Sequence, residues 1–188
     1  MSARSRFAEA KTPAKRKLPR KVTPKSLARA ARAYLDRYAA SSGQLRRVLL
    51  AKVDRSARAH DTDREEGAGA VEEIIARLQA LDLLDDVAYA KAKAASLHRR
   101  GNSLKGIASH LMRKRLGPSE IRQAIDSLGE ATGELEERAA LTYCRKRRIG
   151  PYRAADGREA LREKDMAALA RRGFSYGVAC RVIDGEGL

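Results

Sequence analysis

The chain has 188 residues, with 40 Lys and Arg against 24 Asp and Glu, a formal charge of +16 and a pI near 10.4; this length suits one domain or several small cores. No run reaches the ~18 apolar residues of a membrane span and the basic N-terminus lacks a secretion signal's apolar stretch, so a cytoplasmic protein with no membrane partner is expected. Aromatic residues are scarce, with no Trp, two Phe and six Tyr, which leaves Leu, Ile, Val and Ala to build the core, and the charge points to polyanions, nucleic acid first.

Residues 1–22 carry eight Lys or Arg against Glu9 alone, with Pro13 and Pro19 and no apolar periodicity. This is the pattern of a disordered basic arm in which Lys15, Arg16, Lys17, Arg20 and Lys21 are candidate DNA contacts. Thr23-Pro24 then offers an N-cap and a proline at the first helical position, ahead of a stripe of Leu27, Ala30, Ala31, Tyr34, Leu35 and Tyr38. Ser42-Gly43 breaks it. A second helix presents Leu45, Val48 and Leu49, a polar loop covers 60–69, and a third helix carries Val71, Ile74, Ile75, Leu78 and Leu81. Asp85 and Asp86 suit the cap of a fourth, Ala-rich helix over 86–100, with Gly101 at its end and Ser103 as the next N-cap. The fifth helix holds Leu104, Ile107 and Leu111, and Gly117-Pro118 opens a sixth with Ile121, Ala124 and Ile125. A seventh helix is expected over 134–148, an eighth over 158–172, and a ninth holds Val178, Ala179, Val182 and Ile183. No segment alternates with strand period, so the fold is expected to be all-α.

An internal repeat organises these helices. The segment Leu111 to Asp126 matches Leu169 to Asp184 at a constant offset of 58, each with Leu, two basic residues, a turn and a closing Ile-Asp. The first third matches at an offset of 62, placing Leu45, Leu49 and Lys52 opposite Ile107, Leu111 and Lys114. The reading is an elongated tandem array of three three-helix repeats, 23–84, 85–130 and 131–188, preceded by the arm.

Two segments add a family likeness. Leu81-Asp82-Leu83-Leu84-Asp85-Asp86-Val87-Ala88-Tyr89-Ala90 and Ala170-Arg171-Arg172-Gly173-Phe174-Ser175-Tyr176 resemble the junction motif and the C-terminal Arg-Arg-Gly-Phe-Ser segment of the RecX regulators, bacterial proteins that modulate the recombinase RecA. The likeness covers about 24–184. One departure is Val53 after Lys52, where the family often has glycine, so the second helix is expected to run on. The resemblance implies a non-enzymatic monomer without cofactor or small-molecule substrate. It implies binding to the RecA filament on single- or double-stranded DNA and restraint of ATP hydrolysis, strand exchange and repressor co-cleavage in DNA repair and the SOS response.

The basic groups most suited to such a target are Arg99-Arg100, Arg113-Lys114-Arg115, Arg145-Lys146-Arg147-Arg148 and Arg171-Arg172, each at the last turn of a predicted helix. Cations there also complement the exposed carbonyls and the helix dipole; aligned on stacked units, they would form a stripe that tracks phosphates. Tyr34, Tyr38, Tyr89 and Tyr143 could stack on bases or lie in the core with hydroxyls at its rim. Tyr176 and Phe174 are expected to pack between helices eight and nine. His60, His98 and His110 have no carboxylate or Cys at ligand spacing, and Cys144 and Cys180 read as reduced thiols. A general nucleic-acid binder remains open, as does a helix-turn-helix regulator built on 103–128 with Ser119, Glu120, Arg122 and Gln123 facing bases.

Overall fold

The computed structural model describes residues 20–129 and 131–185. Nine α-helices run through them: α1 (Pro24–Leu35), α2 (Ser42–Ala59), α3 (Arg64–Ala80), α4 (Asp86–His98), α5 (Leu104–Arg113), α6 (Pro118–Asp126), α7 (Thr132–Arg147), α8 (Arg162–Arg171) and α9 (Tyr176–Asp184). No strand occurs among the described residues. The helices that pack side by side fall into three groups, α1–α3, α4–α6 and α7–α9. Each group closes on its own core: Leu27, Leu45, Leu49, Val53, Val71 and Ile75 in the first, Ala90, Ala94, Ile107, Leu111 and Ile121 in the second, and Ala140, Cys144, Leu169, Phe174, Val178 and Val182 in the third. The chain is thus an all-α array of small cores. The basic arm falls largely on residues 1–19, outside the described residues; Val22 already belongs to the folded body, its N–H donating to Ser56 Oγ at 2.9 Å.

Local chemistry explains most helix boundaries. Thr23 and Ser26 form a reciprocal capping box at α1, Asp85 accepts from the Ala88 N–H at 2.9 Å, and Gly101 ends α4 at a φ of +79° that glycine adopts without strain. Several expected boundaries are corrected. Ser42 and Gly43 are the first turn of α2, capped by Ser41. The loop is shorter than 60–69 because Asp63 caps α3 through the Glu65 and Glu66 N–H groups. Helix α2 does run on, eighteen residues long, and buries Val53. The eighth helix begins only at Arg162; residues 158–161 belong to a turn region that follows two 3-10 turns at Gly150–Tyr152 and Ala155–Gly157. Asp165 organises that region, accepting from the Gly150 N–H at 2.8 Å and from Arg153 at 2.7 and 3.1 Å.

The three units are joined end to end through their second helices. Ser103, fully buried at the N-cap of α5, accepts from the Gly106 N–H at 3.0 Å and donates its hydroxyl proton to the Arg172 carbonyl at the end of α8, at 2.7 Å. Ser41 does the same at the N-cap of α2, accepting from Gln44 and donating to the Lys114 carbonyl at the end of α5. The order α8, α5, α2 therefore runs carbonyl end to N–H end. A carboxylate from the next unit's first helix completes each joint: Asp86 of α4 accepts from the Ser42 N–H at 2.7 Å, and Glu136 of α7 accepts from the Leu104 N–H. Asp86, read from sequence as part of its own helix cap, thus serves the neighbouring unit. Close approach demands glycine here: a Cβ on Gly43 would lie 2.6 Å from Arg115 Cβ, and one on Gly173 2.9 Å from Ser103 Oγ.

Ser103→Ala removes an N-cap and leaves a buried carbonyl without its donor, so urea unfolding should show a loss of about 1–2 kcal/mol; an unchanged midpoint would mean that the joint contributes nothing. Asp165 yields a pH prediction. Burial opposes its charge and is the largest single influence, but Arg153, the Gly150 N–H and the nearby cations together hold its carboxyl below the usual range. A depressed carboxylate contributes stability that is fully present above its unfolded pKa of about 3.9 and is lost as pH falls through the lower folded value. Asp165→Asn should therefore be less stable at neutral pH and lose less between pH about 4 and about 2 than the parent, as followed by thermal melts.

Candidate nucleic-acid interface

The sequence-predicted cations do stand at helix ends. Arg99 is the C-cap of α4 and Arg100 follows it; Arg113 ends α5, with Lys114 as C-cap; Arg145, Lys146 and Arg147 form the last turn of α7, capped by Arg148; Arg171 ends α8, with Arg172 as C-cap. All are exposed except Lys114, which is half-buried. Arg115 and Arg148 sit at φ of +61° and +52°, a left-handed conformation that costs an L-residue about 1–2 kcal/mol and that glycine usually fills. At the position equivalent to Arg115, the third unit has Gly173.

Only some of these groups meet. At the α5–α8 joint, Arg113, Arg171 and Arg172 line a groove of about 390 Å³ together with Lys105, Asn102, Ser109 and His110. At the α2–α5 joint, Arg115 lines a second groove of about 370 Å³ with Arg46, Arg47 and Asp54. Arg172 also stacks 5.0 Å over the Tyr143 ring. Arg99, Arg100, Lys146, Arg147 and Arg148 line neither groove, and Arg145 instead lies 5.3 Å over Tyr152. Of the arm candidates, Lys15, Arg16 and Lys17 lie outside the described residues, whereas Arg20 and Lys21 are exposed ahead of α1. Sequence reasoning missed Arg46, Arg47 and Lys105. Lys105 carried a usable signal, because a cation in the first turn of a helix opposes the dipole and needs another reason to be there.

The two grooves differ in balance. Arg46 pairs with Glu72 at 2.6 Å, and this hydrogen bond holds the Glu72 carboxyl below its ordinary range; Asp54 lies 3.7 Å from Arg64. No carboxylate lines the α5–α8 groove. Burial, followed by Lys93, Lys114 and Arg113, lowers the pKa of His110 there.

The remaining candidates have structural partners. Tyr34 accepts from Gln44 at 2.8 Å with Tyr38 5.1 Å away, ring to ring, and Tyr89 is half-buried. Phe174 is in the third core, but Tyr176, expected to pack beside it, is 75% exposed because it opens α9 on the solvent side. His98 donates to the Leu135 carbonyl at 2.9 Å. Both cysteines are unpaired, and burial pushes the Cys144 thiol up to about 12. In α6, Ile121 and Ala124 are buried and Gln123 donates to Ser119 at 3.3 Å, which ties up part of the surface a recognition helix would need.

Known proteins match this chain along most of its length. No family model matches it. A regulatory protein RecX of Myxococcus xanthus strain DK1622 is 48% identical over 170 residues, covering 89% of each chain. The regulatory protein RecX of Agrobacterium fabrum is 33% identical over 100 residues, 53% of this chain and 51% of that one. Among solved structures, a crystal structure of regulatory protein RecX superposes with a TM-score of 0.60 over 86% of this chain and 71% of the other, at 23% identity, a likeness of fold. Similarity to the Myxococcus protein over nearly the whole of both chains, on a matching helical array, means that this protein belongs to the RecX family of regulatory proteins.

Proposed function

We propose that the protein binds the RecA–DNA filament and restrains its ATP hydrolysis, strand exchange and co-protease activity, lying along the filament so that successive units meet successive protomers. The observation that carries this reading is the line of second helices, whose joints hold cation-lined grooves at two repeating positions. Such spacing suits a repeating polyanionic partner better than a single compact one. Family membership supplies the recombinase as the partner, and the DNA of the filament supplies the negative charge.

A second reading, a general binder of bare single- or double-stranded DNA, draws on the same cations. One feature favours the filament: α5 and α6 leave an apolar groove of about 530 Å³ lined by Ala108, Met112, Pro118, Ile121 and Ile125, with Met112 58% exposed. Apolar contact with protein survives salt, whereas phosphate contacts do not; affinity for bare DNA falls with salt at a slope of about −0.9 per contact on duplex and −0.7 on single strands. Filament binding should therefore persist at ionic strengths that abolish binding to DNA alone. Equal salt sensitivity would favour the general binder.

DNA-dependent ATP hydrolysis by RecA should fall as this protein is added, and an unchanged rate at saturating binding would refute the reading. Replacing Arg113, Lys114 and Arg115 with Ala should weaken filament binding several-fold while shifting stability by no more than about 0.5 kcal/mol, because the joint uses the Lys114 carbonyl and not its side chain. A fall of several degrees in Tm would instead assign this cluster to helix-end stabilisation.

A further inference from the structure

The groove at the α5–α8 joint gathers cations without compensation. Lys105 and Arg113 reach it from α5, Arg171 and Arg172 from the end of α8. Among the described residues, none of these four has a carboxylate partner. The equivalent groove at the α2–α5 joint differs, because Asp54 lines it and Glu72 neutralises Arg46. A third groove, beside α9, contains Glu159 and Asp184, with Arg162 held by Asp184 at 2.7 Å. Like charges gathered in one groove repel one another, and an anion between them converts that repulsion into attraction.

A second, independent feature marks the same groove. His110 lines it, and its Nε2 is buried with no hydrogen-bond partner. Buried polar atoms are nearly always paired, so an orphan calls for an explanation.

We infer that the α5–α8 groove is a phosphate site, in which backbone phosphates of a nucleic-acid strand lie between Arg113 and the Arg171-Arg172 pair, with the His110 ring donating from Nε2 to the same anion. Arginine's planar fork matches phosphate oxygens two at a time. Arg113, Arg171 and Arg172 are exposed at the groove's mouth, which suits a strand passing across the joint. A phosphate held by both helices also clasps the end of α8 to α5, so occupancy stiffens the array at that joint. The groups facing His110, namely Lys93 from α4, Lys114 and Arg113 from its own helix, and Arg171 and Arg172 from α8, are all cationic. Burial first, and then Lys93, Lys114 and Arg113, disfavours its protonation, and an anion in the groove opposes that. This inference rests on the proposed nucleoprotein target and specifies the anion and the joint that takes it.

The test uses the full chain and a labelled oligothymidylate, with affinity measured by fluorescence anisotropy across a salt series. Arg113→Gln combined with Arg171→Gln should reduce the salt slope by about 1.4, the value for two lost single-strand contacts. Arg29→Gln with Arg77→Gln, an equal charge change on exposed positions of the first unit, should leave it unchanged. In the parent protein the His110 ring resonance, assigned by its absence in His110→Gln, should shift on adding the oligonucleotide. Inorganic pyrophosphate should shift it only at far higher concentration. An unaltered slope, or a His110 signal that ignores the oligonucleotide, overturns the inference; so does pyrophosphate binding more tightly than the strand, which would make this a pocket for free polyphosphate. RecA ATP hydrolysis measured on the same variants separates the two levels. A groove variant with unchanged DNA affinity and intact inhibition removes the phosphate site alone, whereas a parent protein that never inhibits removes the filament reading.

Discussion

A buried serine at the start of one helix, bonded to the last carbonyl of another, sets the geometry of the whole molecule. Ser41 and Ser103 each satisfy an N–H of their own helix and the terminal carbonyl of the next unit's second helix. Each unit alone has a small core dominated by Leu, Ile, Val and Ala, too little to enforce a long shape through packing. End-to-end hydrogen bonding ties the units together instead, and Asp86 and Glu136 brace each joint by reaching back from the following unit. The Glu136 carboxyl is pushed up by burial, against the pull of the Leu104 N–H and His98. That is the cost of placing an acid inside the joint.

Because Arg113, Lys114, Arg171 and Arg172 occupy the same helix ends that make the joints, the array and the proposed interface share one construction. The carbonyls of Lys114 and Arg172 face inward to the serines while their side chains, and those of Arg113 and Arg171, lie outward or along the groove. Dipole complementation and phosphate binding are therefore compatible roles. The chain's charge is correspondingly uneven in effect: part is neutralised in pairs such as Arg46–Glu72 and Arg162–Asp184, and part is left open at the α5–α8 joint.

The all-α architecture was legible in sequence because its signals are local. Thr23-Pro24, Asp85, Gly101, Ser103 and Gly117-Pro118 act within a turn of where they stand, and each lies at the helix boundary it announced. What stayed hidden depends on partners distant in sequence. Asp86 was assigned to its own helix although its partner is Ser42, and Glu136 gave no sign of reaching Leu104. The late start of α8 follows from Asp165 holding Gly150 and Arg153. Tyr176 looked apolar enough to pack, but its place at the first residue of α9 turns it to solvent. For the candidate site, the helix-end clusters could be read directly, whereas their division into groove-lining and isolated groups, and the contribution of Lys105, required the joints.

In the proposed complex the joints between second helices face the nucleoprotein partner. Amide hydrogen exchange of this protein, free and on a RecA–DNA filament, reports on that placement residue by residue. Binding should slow exchange at residues 104–114 and 169–175, on the two sides of the α5–α8 joint. Protection confined to α1 and α3, or none at any joint, would contradict it.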